Sequence, residues 1–380
     1  MASLTRQQKE AVGLLQIGTF LEYFDLMLYV HMAVLLNELF FPKTDSYTES
    51  LIASATLCST YVFRPFGALL FGYIGDTIGR KKAIIITTSM MSLSCLVIAN
   101  LPTYAQIGIT ATLVVTICRT AQGLSSMGEV IGAEVYVSEI TKPSAGYSAV
   151  AFISVSCAAG AMAAVGIAAL VTSYGFNWRM AFWIGACIAV IASVARTRLR
   201  ETPEFVDMKR KEKRLMEERA ARNPEQSTKQ LNRAAKTEQP KAPITTLVNC
   251  FFINCGWPLS FYVIYIYFNP ILKKTFGYSP EDIIFHNFIL TIIQVLTFVM
   301  WSVLTRHVYP LKLLKIKGFV SLALMAAIPL FLVVCKSGMQ LILFQALILT
   351  FTLHNFPAEY IFLKRLPVYT RFTSAGLIYA

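Results

Sequence analysis

Charge is scarce in this sequence. Only 14% of its 380 residues are Asp, Glu, Lys or Arg, against roughly a quarter in an average soluble domain. Acids are scarcer than bases, 21 against 34. So little charge excludes an ordinary soluble domain, because there is too little polar surface to enclose the apolar content. Paired cysteines are also missing. The eight cysteines fall mostly inside apolar runs (Cys58, Cys95, Cys118, Cys157, Cys187) with no CxxC spacing, which excludes a zinc site or a disulfide framework. Cysteine serves here as a small apolar side chain. No GxGxxG or Walker pattern, nucleophile–base set or metal-ligand cluster is present. The sequence therefore implies no enzyme, no catalytic residue, no cofactor and no metal. A cleavable leader is not expected either: the apolar stretch after MASLTRQQKE is long, is interrupted by Glu22 and Asp25, and reads as a retained first span.

What the sequence does have is apolar length. It is 56% hydrophobic, in runs close to the ~20 residues that cross a bilayer core. Spans are expected near 11–36, 50–74, 83–101, 105–138, 147–172, 178–195, 244–271, 282–304, 318–335 and 340–362, with an eleventh beginning near 372. The fold class is an all-α membrane protein, with about ten complete transmembrane helices plus the start of another.

The net charge of +13 would suit nucleic acid, but the cations lie between the spans, where topology selection retains them. No nucleic-acid motif accompanies them, so no nucleic-acid partner is expected. Arg6 and Lys9, then Arg80 to Lys82, Lys142, Arg306 with Lys312, Lys315 and Lys317, and Lys364 with Arg365 and Arg371 mark one side. The intervening loops are poorer in cations, Lys273 and Lys274 excepted. This pattern predicts a cytoplasmic N-terminus. The hydrophilic stretch from Arg196 to Lys241 is rich in helix formers with mixed charge, which suits a cytoplasmic helix. Three regions follow: a six-helix bundle over 1–195, a basic cytoplasmic central loop over 196–243 and an incomplete second bundle over 244–380. Two bundles of spans about a basic loop are the plan of a secondary transporter.

The loop after the second span reads Gly72-Tyr-Ile-Gly75-Asp76-Thr-Ile-Gly79-Arg80-Lys81-Lys82. Glycines permit a tight turn and close approach. An acid followed by cations can pair locally and can also cap a neighbouring helix N-terminus, where the dipole favours negative charge. Gly72, Asp76, Gly79, Arg80 and Lys81 are accordingly candidates for a latch that holds one conformation. The plain alternative, a positive-inside loop, explains the cations but not their order.

This loop resembles the signature of the major facilitator superfamily. Other segments resemble its metabolite:proton symporter family, which includes proline/betaine, shikimate, citrate and 2-oxoglutarate carriers. They are Gly18-Thr-Phe-Leu-Glu22-Tyr23-Phe24-Asp25 (Trp is usual at Tyr23), Arg64-Pro65-Phe66-Gly67, Arg119-Thr-Ala-Gln122-Gly123 with Gly128-Glu129, Trp178-Arg179, Leu199 to Phe205 and Gly277-Tyr-Ser-Pro280. The resemblance covers nearly the whole chain, is strongest before residue 206, and implies a two-bundle transporter of the bacterial inner membrane. The second half departs from it. Trp301 to Pro310 lacks the acid and glycines of a repeated latch loop, and the sequence stops at Gly376–Ala380, inside the eleventh of the family's twelve spans. A completing C-terminal segment is therefore a candidate partner.

Charges at bilayer depth are costly and mark function. Glu22 and Asp25 share a helix face. Arg119, Gln122, Ser126, Glu129 and Ala133 form a polar stripe at 3-4 spacing. Asp25 lies about 20 Å from the start of its span at 1.5 Å per residue, and Arg119 roughly 18 Å from the opposite face, so both fall within the central part of a core about 30 Å thick. Asp25 and Arg119 can therefore pair, and breaking the pair would raise the acid's proton affinity, a route to proton coupling. A static salt bridge is the alternative. Asp25, Glu22, Arg119 and Glu129 are the proton-coupling candidates, although Glu129 and Glu134 lie nearer the cytoplasmic end, where gating or anchoring is as good a role. Gln122, Ser126, Phe261 and Tyr265 are the substrate-cavity candidates. The cluster Trp257, Phe261, Tyr262, Tyr265 and Tyr267 could face a quaternary ammonium group or simply pack as core and interfacial belt. His286, His307 and His354 share no motif and read as structural.

The expected function is proton-coupled symport of a small polar metabolite or osmolyte, such as proline/betaine or a carboxylate. The partners would be that substrate, protons and the lipid bilayer. The alternative is a non-transporting remnant, a split-gene fragment, or a membrane sensor on the same fold.

Overall fold

The computed structural model describes residues 4–42, 61–174, 177–222 and 242–380, and the described residues are helical almost throughout. The first half comprises α1 (Arg6–Phe40), α2 (Arg64–Thr77), α3 (Arg80–Asn100), α4 (Ile109–Ile140), α5 (Ala145–Tyr174) and α6 (Trp178–Arg196). A further helix, α7 (Pro203–Arg222), follows. The second half comprises α8 (Ile244–Asn254), α9 (Gly256–Phe261), a π-helical turn (Tyr262–Tyr267), α10 (Phe268–Phe276), α11 (Pro280–Leu304), α12 (Pro310–Val334), α13 (Gly338–Phe351), α14 (Glu359–Arg365) and α15 (Arg371–Tyr379). Local chemistry sets several ends. Thr5 and Gln8 form a capping box at the start of α1; Ser279 and Asp282 do the same for α11, with Pro280 at its first position. Gly277, at φ 69°, ends α10 in the left-handed region.

Among the described residues, seven helices are long and apolar enough to cross a membrane. Helix α4 is not among them, because it carries Arg119, Glu129, Glu134 and Glu139, yet all four side chains are buried against neighbouring helices. The first part of the expected second span, 50–60, and most of the central loop, 223–241, lie outside the described residues.

Two expectations are corrected and one is refined. The seventh span is one of these seven, Ile244–Phe276, but its α-helical pattern is interrupted: Pro258 lacks an N–H and crowds the carbonyl four residues back, at Asn254, where α8 ends. The tenth span, expected over 340–362, stops at Phe351 and resumes at Glu359; Pro357 stands against helical continuation through this stretch in the same way. The ninth begins at Pro310, so Lys312, Lys315 and Lys317 lie on a helix rather than in a loop. Lys317 is buried, and its Nζ donates to the Phe356 carbonyl at 3.1 Å.

Helix α1 packs along α5, and α3 packs against α4 and α6. The halves meet where α5 lies against α11 and α2 against α15. One apolar core surrounds Phe24, Phe40 and Phe182, and another surrounds Ile264, Phe268 and Leu341. A third, with Val137, Tyr360, Leu363 and Phe372, joins the halves at the end where α1 begins. Facing outward, α12 exposes Phe319, Leu322, Leu330 and Val333, a surface suited to lipid tails.

Candidate functional site

The polar stripe of α4 resolves into separate tiers. In the first, Arg119 Nη1 lies 3.1 Å from Asp25 Oδ2 and donates to Gln122 Oε1 at 2.8 Å. The Cys95 thiol donates to Asp25 Oδ1 at 3.4 Å, and the Gln122 amide donates to Cys95 Sγ. The Tyr29 ring lies 3.9 Å from the guanidinium carbon of Arg119. Both charged side chains are essentially out of solvent.

In the second tier, Glu22 is buried, and among the described residues neither carboxylate oxygen has a hydrogen-bond partner; nor has the Ser126 hydroxyl. With Arg64, Arg119 and Gln122 they border a void of about 10 Å3, room for about one water molecule. In the third tier Glu129 pairs with Arg196 and accepts from Thr87 at 3.1 Å and Thr88 at 2.5 Å. Arg196 also donates to the Leu15 carbonyl at 3.1 Å. Gly18 makes this arrangement fit, since a Cβ there would stand 1.8 Å from Arg196 Nη2.

Between the halves lies a cavity of about 600 Å3, within the size range of small-molecule sites. Helices α1, α4 and α5 line one side; α8 to α11 line the other. Phe261 and Tyr265, at 5.0 Å between ring centroids, belong to its wall, as do Trp257, Tyr23 and Tyr379. The last two are joined through their hydroxyls at 2.5 Å. Gln122 and Ser126 do not line it. Four-residue steps along a helix drift by about 40°, so from 122 to 134 the face turns by about 120°. Val130 and Glu134 consequently reach the cavity, while Gln122 and Ser126 face α1 and α3. Glu134 is the one carboxylate among the described lining residues, and no cation pairs with it among the described residues.

His354 also lines the cavity, in the break between α13 and α14. It is buried, and its Nδ1 accepts the Phe356 N–H at 3.1 Å while Nε2 has no partner among the described residues. His286 instead meets Gln345 at 2.7 Å. Of the other aromatic candidates, Tyr262 and Tyr267 are exposed, as a lipid-facing position requires.

At the end where α1 begins, the latch residues form a network across both halves. Asp76 accepts from Arg80 at 2.8 Å, from the backbone N–H groups of Phe372 and Thr373 at 3.0 Å each, and from the Thr373 hydroxyl at 2.7 Å. It thereby caps α15. Arg80 donates further to Glu139 and to the Val368 carbonyl at 2.7 Å. Glu201 accepts the N–H groups of Arg80 and Lys81, capping α3. Gly79 turns the chain at φ 140°, a conformation L side chains resist, and Gly72 lets Thr373 come close. Arg371 reaches Glu139 at 3.0 Å and Glu204 at 2.6 Å, and Lys364 also pairs with Glu204. Burial pushes the Glu204 carboxyl up, but the hydrogen bonds from Arg371 and Lys364 outweigh it and hold the group below its ordinary value. At Glu201 burial prevails over the capping N–H groups and the carboxyl is raised.

The sequence assigned no role of their own to Arg64, Glu139 or Arg196, and it gave His354 no part. Arg196 sits at a span end, where a cation reads as topology; only its pairing with Glu129 reveals its other role. Among the described residues no group of three or more His, Cys, Asp or Glu gathers as a metal site.

The pattern that defines the sugar (and other) transporter family matches residues 13–361. The chain belongs to that family. The chain is 28% identical, over 280 residues, to the proline/betaine transporter of Salmonella typhimurium; the match covers 72% of this chain and 54% of that protein. The chain thus spans about half the length of that relative. Its fold is that of the major facilitator superfamily. The proton:xylose symporter XylE bound to 6-bromo-6-deoxy-D-glucose superposes with a TM-score of 0.75 at 14% identity, covering 98% of this chain and 86% of the other. The inward open conformation of XylE from E. coli gives 0.60 at 15% identity, covering 97% and 88%. Family members are transporters, not enzymes, and with its apolar helices the chain is a multi-pass membrane protein.

Proposed function

We propose that the protein is a proton-coupled secondary transporter that carries a small polar osmolyte or metabolite of the proline/betaine kind across the bacterial inner membrane. The observation that carries this reading is the cavity of about 600 Å3 shared by the two halves. A site between two bundles can be presented to either side by rocking one bundle on the other. Its aromatic wall with one unpaired acid, Glu134, suits a substrate with a cationic end. The similarity to a proline/betaine transporter points the same way.

Proton coupling is assigned to Asp25 with Arg119, and Glu22 and Glu129 lie on the same faces. Opening the Asp25–Arg119 contact would leave the acid at membrane depth without its cation, where it takes up a proton. The halves are 1–195 and 244–380, joined by the segment 196–243. The cation-rich loops support a cytoplasmic N-terminus, which makes the Asp76–Arg80–Glu139–Arg371 network the cytoplasmic closure.

The test is uptake of radiolabelled glycine betaine and proline into liposomes containing the chain. Acid outside should drive accumulation above the external concentration, and a protonophore should collapse it. Equilibration without accumulation would remove the coupling, and no specific uptake of either solute would remove the substrate assignment.

A further inference from the structure

A second cavity, an open cleft of about 710 Å3, lies at the end where α1 begins. Both halves build it. Lys142 and Tyr147 come from the first half; Tyr309, Tyr360 and Arg365 come from the second. The Tyr147 ring stands edge-to-face with Tyr360 at 5.2 Å and with Tyr309 at 6.3 Å. Tyrosines of the two halves thus meet in its wall.

The acids of the cleft are already committed. Glu139 is held by Arg80 and Arg371, and Glu204 by Arg371 and Lys364. Asp76 shares Arg80. Asp76, Glu139 and Glu204 therefore balance Arg80, Arg371 and Lys364. Lys142 and Arg365 remain in surplus. Both are exposed lining residues, and neither side chain makes an ion pair or hydrogen bond among the described residues. Nor does the C-terminus of α4 need Lys142, since the carbonyls of Ile140 and Thr141 accept from Gln8 and Tyr360.

Two uncommitted cations on flexible stems suit a phosphoryl group. Arg offers a planar fork that matches its oxygens, and Lys offers a mobile point charge. We propose that the cleft binds a phosphoryl group, carried by a soluble phosphate or a phospholipid head group, between Lys142 of one half and Arg365 of the other. The bound anion ties the halves at this end beside the Asp76 contact, so it favours the closed arrangement. Such a site acts on the movement of the halves whatever solute is carried.

The test is calorimetric titration of inorganic phosphate into the purified 380-residue chain in detergent, at fixed ionic strength so that screening stays constant. Saturable binding is expected. Lys142→Gln and Arg365→Gln should each weaken it by about tenfold, the scale of a hydrogen bond to a charged group, with melting temperature unchanged. Lys211→Gln, exposed on α7 and outside the cleft, should stay within about twofold. Bound phosphate should also slow amide exchange at Phe372 and Thr373, which dock on Asp76, in the parent chain but not in the Lys142→Gln/Arg365→Gln double variant. The same exchange measurement without phosphate, in phosphatidylglycerol and phosphatidylcholine nanodiscs, assigns the source. Slowing by phosphatidylglycerol in the parent alone marks a lipid head group as the occupant; slowing by phosphate only marks a soluble one. Absence of saturable phosphate binding, or equal losses in all three single variants, would overturn the site. Binding that leaves exchange at 372 and 373 unchanged would overturn its hold on the halves.

Discussion

Asp25 and Arg119 lie 3.1 Å apart, with a thiol, an amide and an aromatic face completing their surroundings. Asp25→Asn keeps the shape but cannot carry the proton. Accumulation driven by a pH gradient should be lost while exchange of labelled for unlabelled substrate persists. Arg119→Ala should do more harm, because it strands a buried carboxylate at a cost of about 3–5 kcal/mol, and the double variant should fall short of the summed damage. Uptake and counterflow in liposomes separate these outcomes; continued concentration of substrate by Asp25→Asn would make Asp25 structural.

Asp76→Asn should slow cycling rather than weaken binding. The amide keeps one acceptor oxygen but presents an N–H where α15 also presents N–H groups, so the closed arrangement loses stability relative to the open one. Maximal uptake should fall by about tenfold, a barrier change of ~1.4 kcal/mol, with KM nearly constant. A raised KM at full maximal rate would contradict this.

Acid should loosen the Glu204 tie. The carboxyl is held below its ordinary 4.5 by Arg371 and Lys364. Its contribution to stability is therefore complete above the unfolded-state value and declines as pH falls through the lower folded value. Glu204→Gln should lower the melting temperature at pH 7 and converge with the parent chain at the acid end. A constant difference across the series would exclude the ion tie as its source.

Gly18→Ala should destabilise the first half. The added methyl displaces a guanidinium held by Glu129, Thr88 and the Leu15 carbonyl. A loss of ~1–3 kcal/mol is expected, read as a lower melting temperature, and Arg196→Lys in the same chain should return part of it by shortening the head group. If Gly18→Ala melts with the parent chain, the packing around Arg196 is looser than described.

The pairing of Asp25 with Arg119 was legible in the sequence because a helix has a fixed rise, and two charges within the central part of the same membrane core have few other partners. The capping by Asp76 was legible in kind but not in address, since nothing local to Gly72–Lys82 names residues 372 and 373. Gln122 and Ser126 lie away from the cavity between the halves because a 3-4 stripe winds around the helix far enough to change neighbours. Lys317 and Arg196 were hidden by the usefulness of the positive-inside rule, which accounts for a cation near a span end without asking where its head group goes.

Asp76 grips α15 mainly through peptide groups. What is recognised there is main chain, which every residue except proline supplies. Substitutions at Phe372 can alter the packing but cannot erase the N–H groups, and at Thr373 they remove one bond of three. The carboxylate has no such redundancy. The contact is therefore tolerant on one side and brittle on the other: sequence drift in α15 leaves the two halves able to dock, while a single change at Asp76 does not.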